Sequence, residues 1–408
     1  DPATPPTGQA YTRTTYNTYN NSNEQAVVLG NNVTMQDTVT ATGQIVSDPA
    51  SKVALNGDVT STAGIGTVTT EQFDASNTQT GKTVIDSMDD SVSGGIILGE
   101  TTAGAVTLKT EGGNISLGDN SILDGTTVSA ESADLNKTVY SNDGGSWNTI
   151  ASTEKLGTIE GSVTLGENTT VKGNSTLTAD DNIAIGNSVI TVNTAADGVI
   201  SAGGQISIGD GTQVLDNTAT SDGKAAINLA DGQTLYIGSG AILSGNTSNG
   251  VSGSVQAGQN TRINVYTDAT AYTFINDGIS TAAASSTADA APLVADQTVM
   301  TKTGAGTLVY GGTGTTDTFG GTYQQLEGNL IIGHATFGAV DSATGKVGPL
   351  QSIDGAVMGT DDTVYDIRTG QVTLAKNSTM KGASATFGGD STLLLSDGSV
   401  LDFGTPAT

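Results

Sequence analysis

The stretch Ile115-Ser116-Leu117-Gly118-Asp119-Asn120-Ser121-Ile122 decides how this chain is read. Two aliphatic residues flank a small polar one, a glycine and two turn-formers follow, and the chain then turns apolar again. That is a short strand, a tight corner and the start of a second strand. The phrase recurs as Val27-Val28-Leu29-Gly30-Asn31, Ile96-Ile97-Leu98-Gly99-Glu100, Val163-Thr164-Leu165-Gly166-Glu167, Ile183-Ala184-Ile185-Gly186-Asn187, Ile206-Ser207-Ile208-Gly209-Asp210 and Leu235-Tyr236-Ile237-Gly238-Ser239. Val372-Thr373-Leu374-Ala375 is a late copy with alanine in the glycine slot.

From Gly99 to Gly238 the steps between successive corner glycines are 19, 48, 20, 23 and 29 residues, and from Gly30 to Gly99 the step is 69. These lie near one, two or three multiples of roughly 20–24 residues, the range of a solenoid repeat. A unit that short cannot enclose its own apolar residues and must stack on its neighbours. The expected fold is therefore all-β: a right-handed, three-faced parallel β-helix with loop insertions. Dividing length by period gives roughly fifteen to eighteen coils and a rod roughly 70–85 Å long.

Composition narrows the function. The chain has 408 residues, 14 basic against 41 acidic, a net charge of −27. Nucleic-acid binding needs a basic footprint that this sequence lacks. The recurring apolar alternation argues against disorder. There is no cysteine, so no disulfide and no thiolate metal site, and no cofactor is expected.

The expected organisation runs as follows. Residues 1–26, with Tyr11, Tyr16 and Tyr19, form an N-terminal cap over the open end of the solenoid, or alternatively an exposed tyrosine patch. Residues 27–264 form the β-helix, with loop excursions near 66–92 and 126–160. Ser129–Lys137 is expected to make a short helical turn. Trp147, the only tryptophan, and Asp143 stand in the second excursion; Trp147 either pins that loop to the coils beneath or serves as a contact residue. Residues 265–300 are read as a loop or transition, and 301–408 as a C-terminal β-helix.

In that last segment Lys302-Thr303-Gly304-Ala305-Gly306-Thr307-Leu308 is followed by Gly320-Gly321-Thr322-Tyr323 and by Leu326-Glu327-Gly328-Asn329-Leu330-Ile331-Ile332. Core and spacing resemble the passenger-associated repeat of bacterial autotransporters. The match covers about 31 residues, and the β-helical phrases around it agree with it. The resemblance implies a passenger domain exported to the cell surface of a Gram-negative bacterium across its outer membrane, by a C-terminal barrel that this chain does not include. It implies an adhesin or self-associating protein, with roles in virulence and biofilm formation.

A Ser-His-Asp triad would have to use His334, the only histidine, and Gly389-Asp390-Ser391 lies inside a coil pattern. Glycan hydrolysis needs two carboxylates at a set separation; the adjacent pairs Asp89-Asp90, Asp180-Asp181 and Asp361-Asp362 read as turns. Gly311–Asp317 misses the calcium-binding nonapeptide by one place and has no tandem copy. The chain is therefore read as non-enzymatic and without a metal.

What remains is surface. The corner residues Asp119, Glu167, Asn187 and Asp210 should stack into a polar, largely acidic stripe. With Trp147 and Asp143 they are the candidate ligand face for a host extracellular-matrix glycoprotein such as fibronectin, or for a glycan or glycosaminoglycan. The plainer alternative is that these residues are simply what tight corners require. Self-association between passengers is the second functional expectation, and a polysaccharide hydrolase or lyase a distant third.

Overall fold

The computed structural model describes residues 8–18, 25–143, 146–149, 154–249, 253–281, 298–312 and 317–404. Every regular element among them is a β-strand. The strands wind into a three-faced parallel β-helix.

On the first face, residues in register from coil to coil are Val27, Ile45, Ile96, Ile115, Val163, Ile183, Ile206, Leu235, Ile263, Met300, Tyr323, Tyr365 and Ala385. That is thirteen coils among the described residues, or roughly 60 Å at the usual strand spacing. The expected fifteen to eighteen was too many, because the division by period assigned to coils residues that leave the helix. On the second face Met35, Leu55, Ala103, Leu123, Val171, Ile190, Val214, Leu243 and Ile275 stack inward in the same way. These two faces form one network of 24 strands, because Val364–Leu374 and Ser384–Leu395 each run across both. The third face has nine paired strands, from Val39–Thr42 to Ile279–Thr281, and three more pair between residues 357 and 403.

The alternation read in the sequence explains the interior. Leu98, Leu117, Leu165, Ile185, Ile208 and Ile237 form a second column on the first face, all at most 4% exposed. Burying each aliphatic side chain contributes about 1.5–3 kcal/mol, but only the next coil supplies the burial. The corner glycine has a steric reason: a Cβ on Gly118 would sit 2.8 Å from the carbonyl carbon of Gly99, and one on Gly209 2.6 Å from the carbonyl oxygen of Ile185. The Gly166 and Gly186 N–H groups donate to Leu117 and Leu165 in the coil before.

A second set of internal bonds runs down the turn between the second and third faces. Asn193, Asn217 and Asn246 are at most 3% exposed. The Asn217 amide donates to the Ile190 carbonyl (2.9 Å) and to Asn246 Oδ1 (3.1 Å), and its own oxygen accepts from Asn193 Nδ2 (2.9 Å). The Asn246 N–H donates to Asp277 Oδ2 at 2.9 Å. Each amide thus satisfies backbone groups that the turn would otherwise leave buried and unpaired.

Three expectations are corrected. First, the excursions are not loops. Tyr11–Asn17, Gly64–Phe73, Gln79–Val92, Ala133–Asp143, Ser146–Thr149 and Glu154–Ile159 pair antiparallel into one six-stranded side sheet. The Tyr11–Asn17 part of the expected cap is the edge of that sheet; Tyr19 lies outside the described residues. Second, Ser129–Lys137 makes no helical turn: Thr127–Glu131 is a regular third-face strand and Ala133–Asp143 enters the side sheet. Third, residues 265–281 are not a transition; Arg262–Tyr266, Tyr272–Ile275 and Ile279–Thr281 are the three faces of one coil.

One excursion was not foreseen. His334–Phe337 and Leu350–Asp354 pair antiparallel as an arm. The arm lies back over the outside of the second face. Lys346 Nζ donates to Asn187 Oδ1 at 3.1 Å and the Val347 N–H to Gln213 Oε1 at 2.8 Å, links of 159 and 134 residues along the chain. Beneath it Leu215, Ile242, Phe274, Val309 and Ala335 form a second apolar cluster with Phe337, Val347 and Ile353.

Candidate functional site

The corner stripe forms. Asp119 Oδ1 accepts the Glu167 N–H of the next coil at 2.8 Å, and the Asn168 N–H donates to the Asn187 carbonyl at 2.6 Å. Asp210 Oδ1 accepts the Ser239 N–H at 2.8 Å, and Ser239 Oγ accepts the Asp268 N–H at 2.9 Å. Asp119, Glu167, Asn187 and Asp210 therefore share one edge of the helix. The edge has a structural duty as well. One carboxylate oxygen of Asp119 and of Asp210 is committed to the backbone of the following coil, and Asn187 accepts from the arm. Asn120 and Asn168 take left-handed backbone conformations beside them (φ 61° and 56°), which asparagine tolerates.

The same device recurs elsewhere. Asp58, Asn114, Asp180, Asn182 and Asp231 each accept a backbone N–H from another coil at 2.7–2.9 Å. Part of the acidity of this chain is thus corner chemistry. Asp181 accepts Ser162 Oγ, and Asp361 pairs with Lys381 at 3.0 Å. His334 Nδ1 lies 3.1 Å from the Asn276 carbonyl at the root of the arm, and Ser391 Oγ donates to the Gly388 carbonyl at 2.6 Å. Among the described residues no group of three or more His, Cys, Asp or Glu is placed to hold a metal ion.

Asp143 and Trp147 stand apart from the stripe, on the side sheet, where Asp143 is in register with Ser146 and Asn142 with Trp147. Their side chains lie outside the described residues. Where the side sheet meets the helix there is a cleft of about 420 Å³ lined by Ser132, Asp134, Lys155, Thr158, Glu160, Asp180 and Asp181. Two of those residues come from one excursion, three from the return strand and its exit, and two from the third-face corner; only the pairing of distant strands assembles them.

Sequence reading also missed a group of aromatic residues on the same edge as Asp210. Tyr236, Tyr266 and Tyr272 are 44%, 48% and 45% exposed. The signal was present: in the recurring phrase the outward slot holds Ser, Thr, Ala, Val or Ile, but Tyr in Leu235-Tyr236-Ile237. Tyr266 Oη donates to Asp268 Oδ1 at 2.8 Å, and that bond, with the nearby carboxylates of Asp210 and Glu327, holds its hydroxyl above the usual tyrosine range.

Comparison of the chain with family models, with curated proteins and with solved structures finds no match.

Proposed function

We propose that this chain is the passenger of a bacterial autotransporter and acts at the cell surface as a non-enzymatic adhesin, holding a host matrix glycoprotein or a glycan along the side of the β-helix. The observation that carries the reading is the corner stripe, which places Asp119, Glu167, Asn187 and Asp210 on one edge of a rod stiffened by thirteen stacked coils. A long row of modest polar contacts suits an extended partner, whose hydroxyls and backbone groups meet acceptors at coil spacing. The passenger-associated repeat at Lys302–Ile332 supports the export route.

Purified chain should bind immobilised fibronectin or a glycan saturably. Asp119→Asn, Glu167→Gln and Asp210→Asn together remove three charges while keeping an oxygen acceptor at each corner. Weakened binding is expected; an unchanged signal would remove the stripe from the reading.

A second reading, self-association, is favoured by one observation. Tyr11–Asn17 is the edge of the side sheet and pairs on one side only among the described residues. Six of its seven residues are exposed, and it contains neither proline nor lysine. An edge of that kind accepts another strand unless it is blocked. Light scattering of concentrated protein tests this: dimers that vanish in Thr14→Pro are expected, and a strict monomer counts against it.

A further inference from the structure

The tyrosine corner gives the adhesive reading a ligand class. We propose that the edge formed by residues 234–244 and 262–275 is a binding site for neutral oligosaccharide; this rests on the adhesin proposal and specifies its partner.

The coils contain six described tyrosines, and they divide sharply. Tyr310, Tyr323 and Tyr365 are fully buried, whereas Tyr236, Tyr266 and Tyr272 leave nearly half of their surface in water. The exposed three are neighbours. Tyr236 is in register with Asn264, and Tyr266 lies two residues further along the same outer face, so Tyr236 and Tyr266 are diagonal partners roughly 7–8 Å apart at the backbone. Tyr266 and Tyr272 flank one tight turn, closed by the Ala271 N–H to the Asp268 carbonyl at 2.9 Å and by the hydroxyls of Thr267 and Thr273 at 3.1 Å.

Two of the rings are held in place before any ligand arrives. Tyr266 is tied to Asp268 by its hydroxyl and rests on Gly304, where an added Cβ would come 2.9 Å from Tyr266 Cε2. Tyr272 stacks on Phe274 (centroids 6.1 Å, planes 16° apart), and Phe274 meets Phe337 edge to face at 4.9 Å. Rigid aromatic side chains offer contact area with little entropy left to lose.

The surroundings select the occupant. Arg262 and Asn264 share the outer face with Tyr266, and the carboxylates of Asp268, Asp210 and Glu327 lie near the Tyr266 hydroxyl. Carboxylate and amide oxygens accept from sugar hydroxyls, while a tyrosine ring supplies a flat apolar surface with a polar tip. The local excess of negative charge, in a chain of net charge −27, repels sulfated or uronic-acid polymers. Charge and shape together suit an uncharged polyol ring system.

The test is binding of the whole purified chain to immobilised neutral gluco-, galacto- and manno-oligosaccharides, with heparin, chondroitin sulfate and fibronectin alongside. At least one neutral series should be retained saturably, and heparin should not. Tyr236→Ala with Tyr266→Ala should weaken that binding roughly tenfold or more. Tyr266→Phe keeps the ring and loses only the Asp268 bond, and should stay within roughly threefold. Both variants should keep the circular dichroism of the parent, since the altered side chains are exposed. Undiminished neutral-sugar binding in the double variant, a preference for heparin, or no retention of neutral sugar overturns the site. Fibronectin binding that persists while neutral sugars are ignored sinks this inference and leaves the adhesin reading standing. Retention of nothing sinks both.

Discussion

The inner column that reads Leu98, Leu117, Leu165, Ile185, Ile208, Ile237 and Val265 continues in the next two coils as Lys302 and Gln325, and then returns to Ile367. Both polar residues are fully buried. Two stretches of one solenoid thus fill the same slot by different chemistry. The central coils use aliphatic side chains and keep their polar groups in the Asn193–Asn217–Asn246 turn. The C-terminal coils bring polar groups into the column itself. Lys302 Nζ donates to the carbonyls of Gly304 (2.6 Å), Thr303 (2.7 Å) and Glu327 (3.4 Å). Gln325 Nε2 donates to Gly328 and Thr369, both at 2.9 Å. Beside them Tyr310 Oη donates to Asp317 and Tyr365 Oη to the Met358 carbonyl. The lesson is that a β-helix interior tolerates polarity where each group finds a partner, and that Lys302 gathers turn carbonyls rather than facing a ligand.

The comparison breaks first at the asparagines. Asn217→Leu would take their partner from the Ile190 carbonyl and the Asn193 N–H, and one of two partners from Asn193 Nδ2 and from Asn246 Oδ1, all buried. At about 1–3 kcal/mol per orphaned group, a loss of about 3–6 kcal/mol is expected. Urea unfolding followed by circular dichroism measures it; a loss under about 1 kcal/mol would mean that apolar stacking alone holds these turns.

The arm joins the two stretches, and it is the next test. Phe337→Ala removes a ring packed on Phe274 and should cost about 2–3 kcal/mol, less than a fully buried phenylalanine because Phe337 is half-buried. Because the arm bonds to Asn187 and Gln213, hydrogen exchange should quicken at residues 189–215 as well as at 334–354. Acceleration confined to 334–354 would show that the arm rests on the helix without clamping it.

How much of this was legible follows from the range of the interactions involved. The phrase around Leu117-Gly118 predicts the strand, the corner and the column, because all three are local and repeat. It also predicts the edge shared by Asp119, Glu167, Asn187 and Asp210. It does not predict the side sheet. Gly64–Phe73 is rich in Thr and Gln79–Val92 in Asp and Thr, and the partner of the latter, Ala133–Asp143, stands some fifty residues away in the Lys137–Ile85 register. The stretch Ser129–Lys137 has helix-forming composition, and tertiary pairing overrides it. Burial of Lys302 was hidden for a related reason: a charged side chain reads as surface until three carbonyls are seen to converge on it. The tyrosine corner depends on coil register, which insertions of unequal length between coils disguise.

Lys302→Met sharpens the contrast between the two stretches. It removes a buried charge, which by itself is favourable, and strips donors from three carbonyls, which is not. The two effects offset, and a net loss of about 2 kcal/mol is expected, well below that of Asn217→Leu. Burial lowers the Lys302 ammonium to about 8. The unfolded chain therefore holds a proton that the native chain has lost between about pH 8 and the ordinary lysine range. The native state should gain stability relative to Lys302→Met as pH rises through that window. A flat difference between the two proteins from pH 7 to pH 10 would place the ammonium in contact with water.

Asp317 provides the finest test, in acid. It is buried, and burial pushes its carboxyl up to about 6 despite bonds from Tyr310 Oη, the Gly359 N–H and the Thr318 N–H. A folded carboxyl raised above its unfolded range keeps its proton while the unfolded chain has released its own. The associated stability is complete below about pH 4, falls as pH rises and is gone above about pH 6. Asp317→Asn carries no titrating proton and should lack that slope. Relative to the variant, the parent should lose about 2 kcal/mol between pH 4 and pH 6.5, and then run parallel to it. Asp277, also raised by burial, is common to both proteins and cancels. A parent that instead loses stability relative to the variant as pH falls would mean that the three donors outweigh burial, and that the polar C-terminal interior is stabilised by the ionised carboxylate.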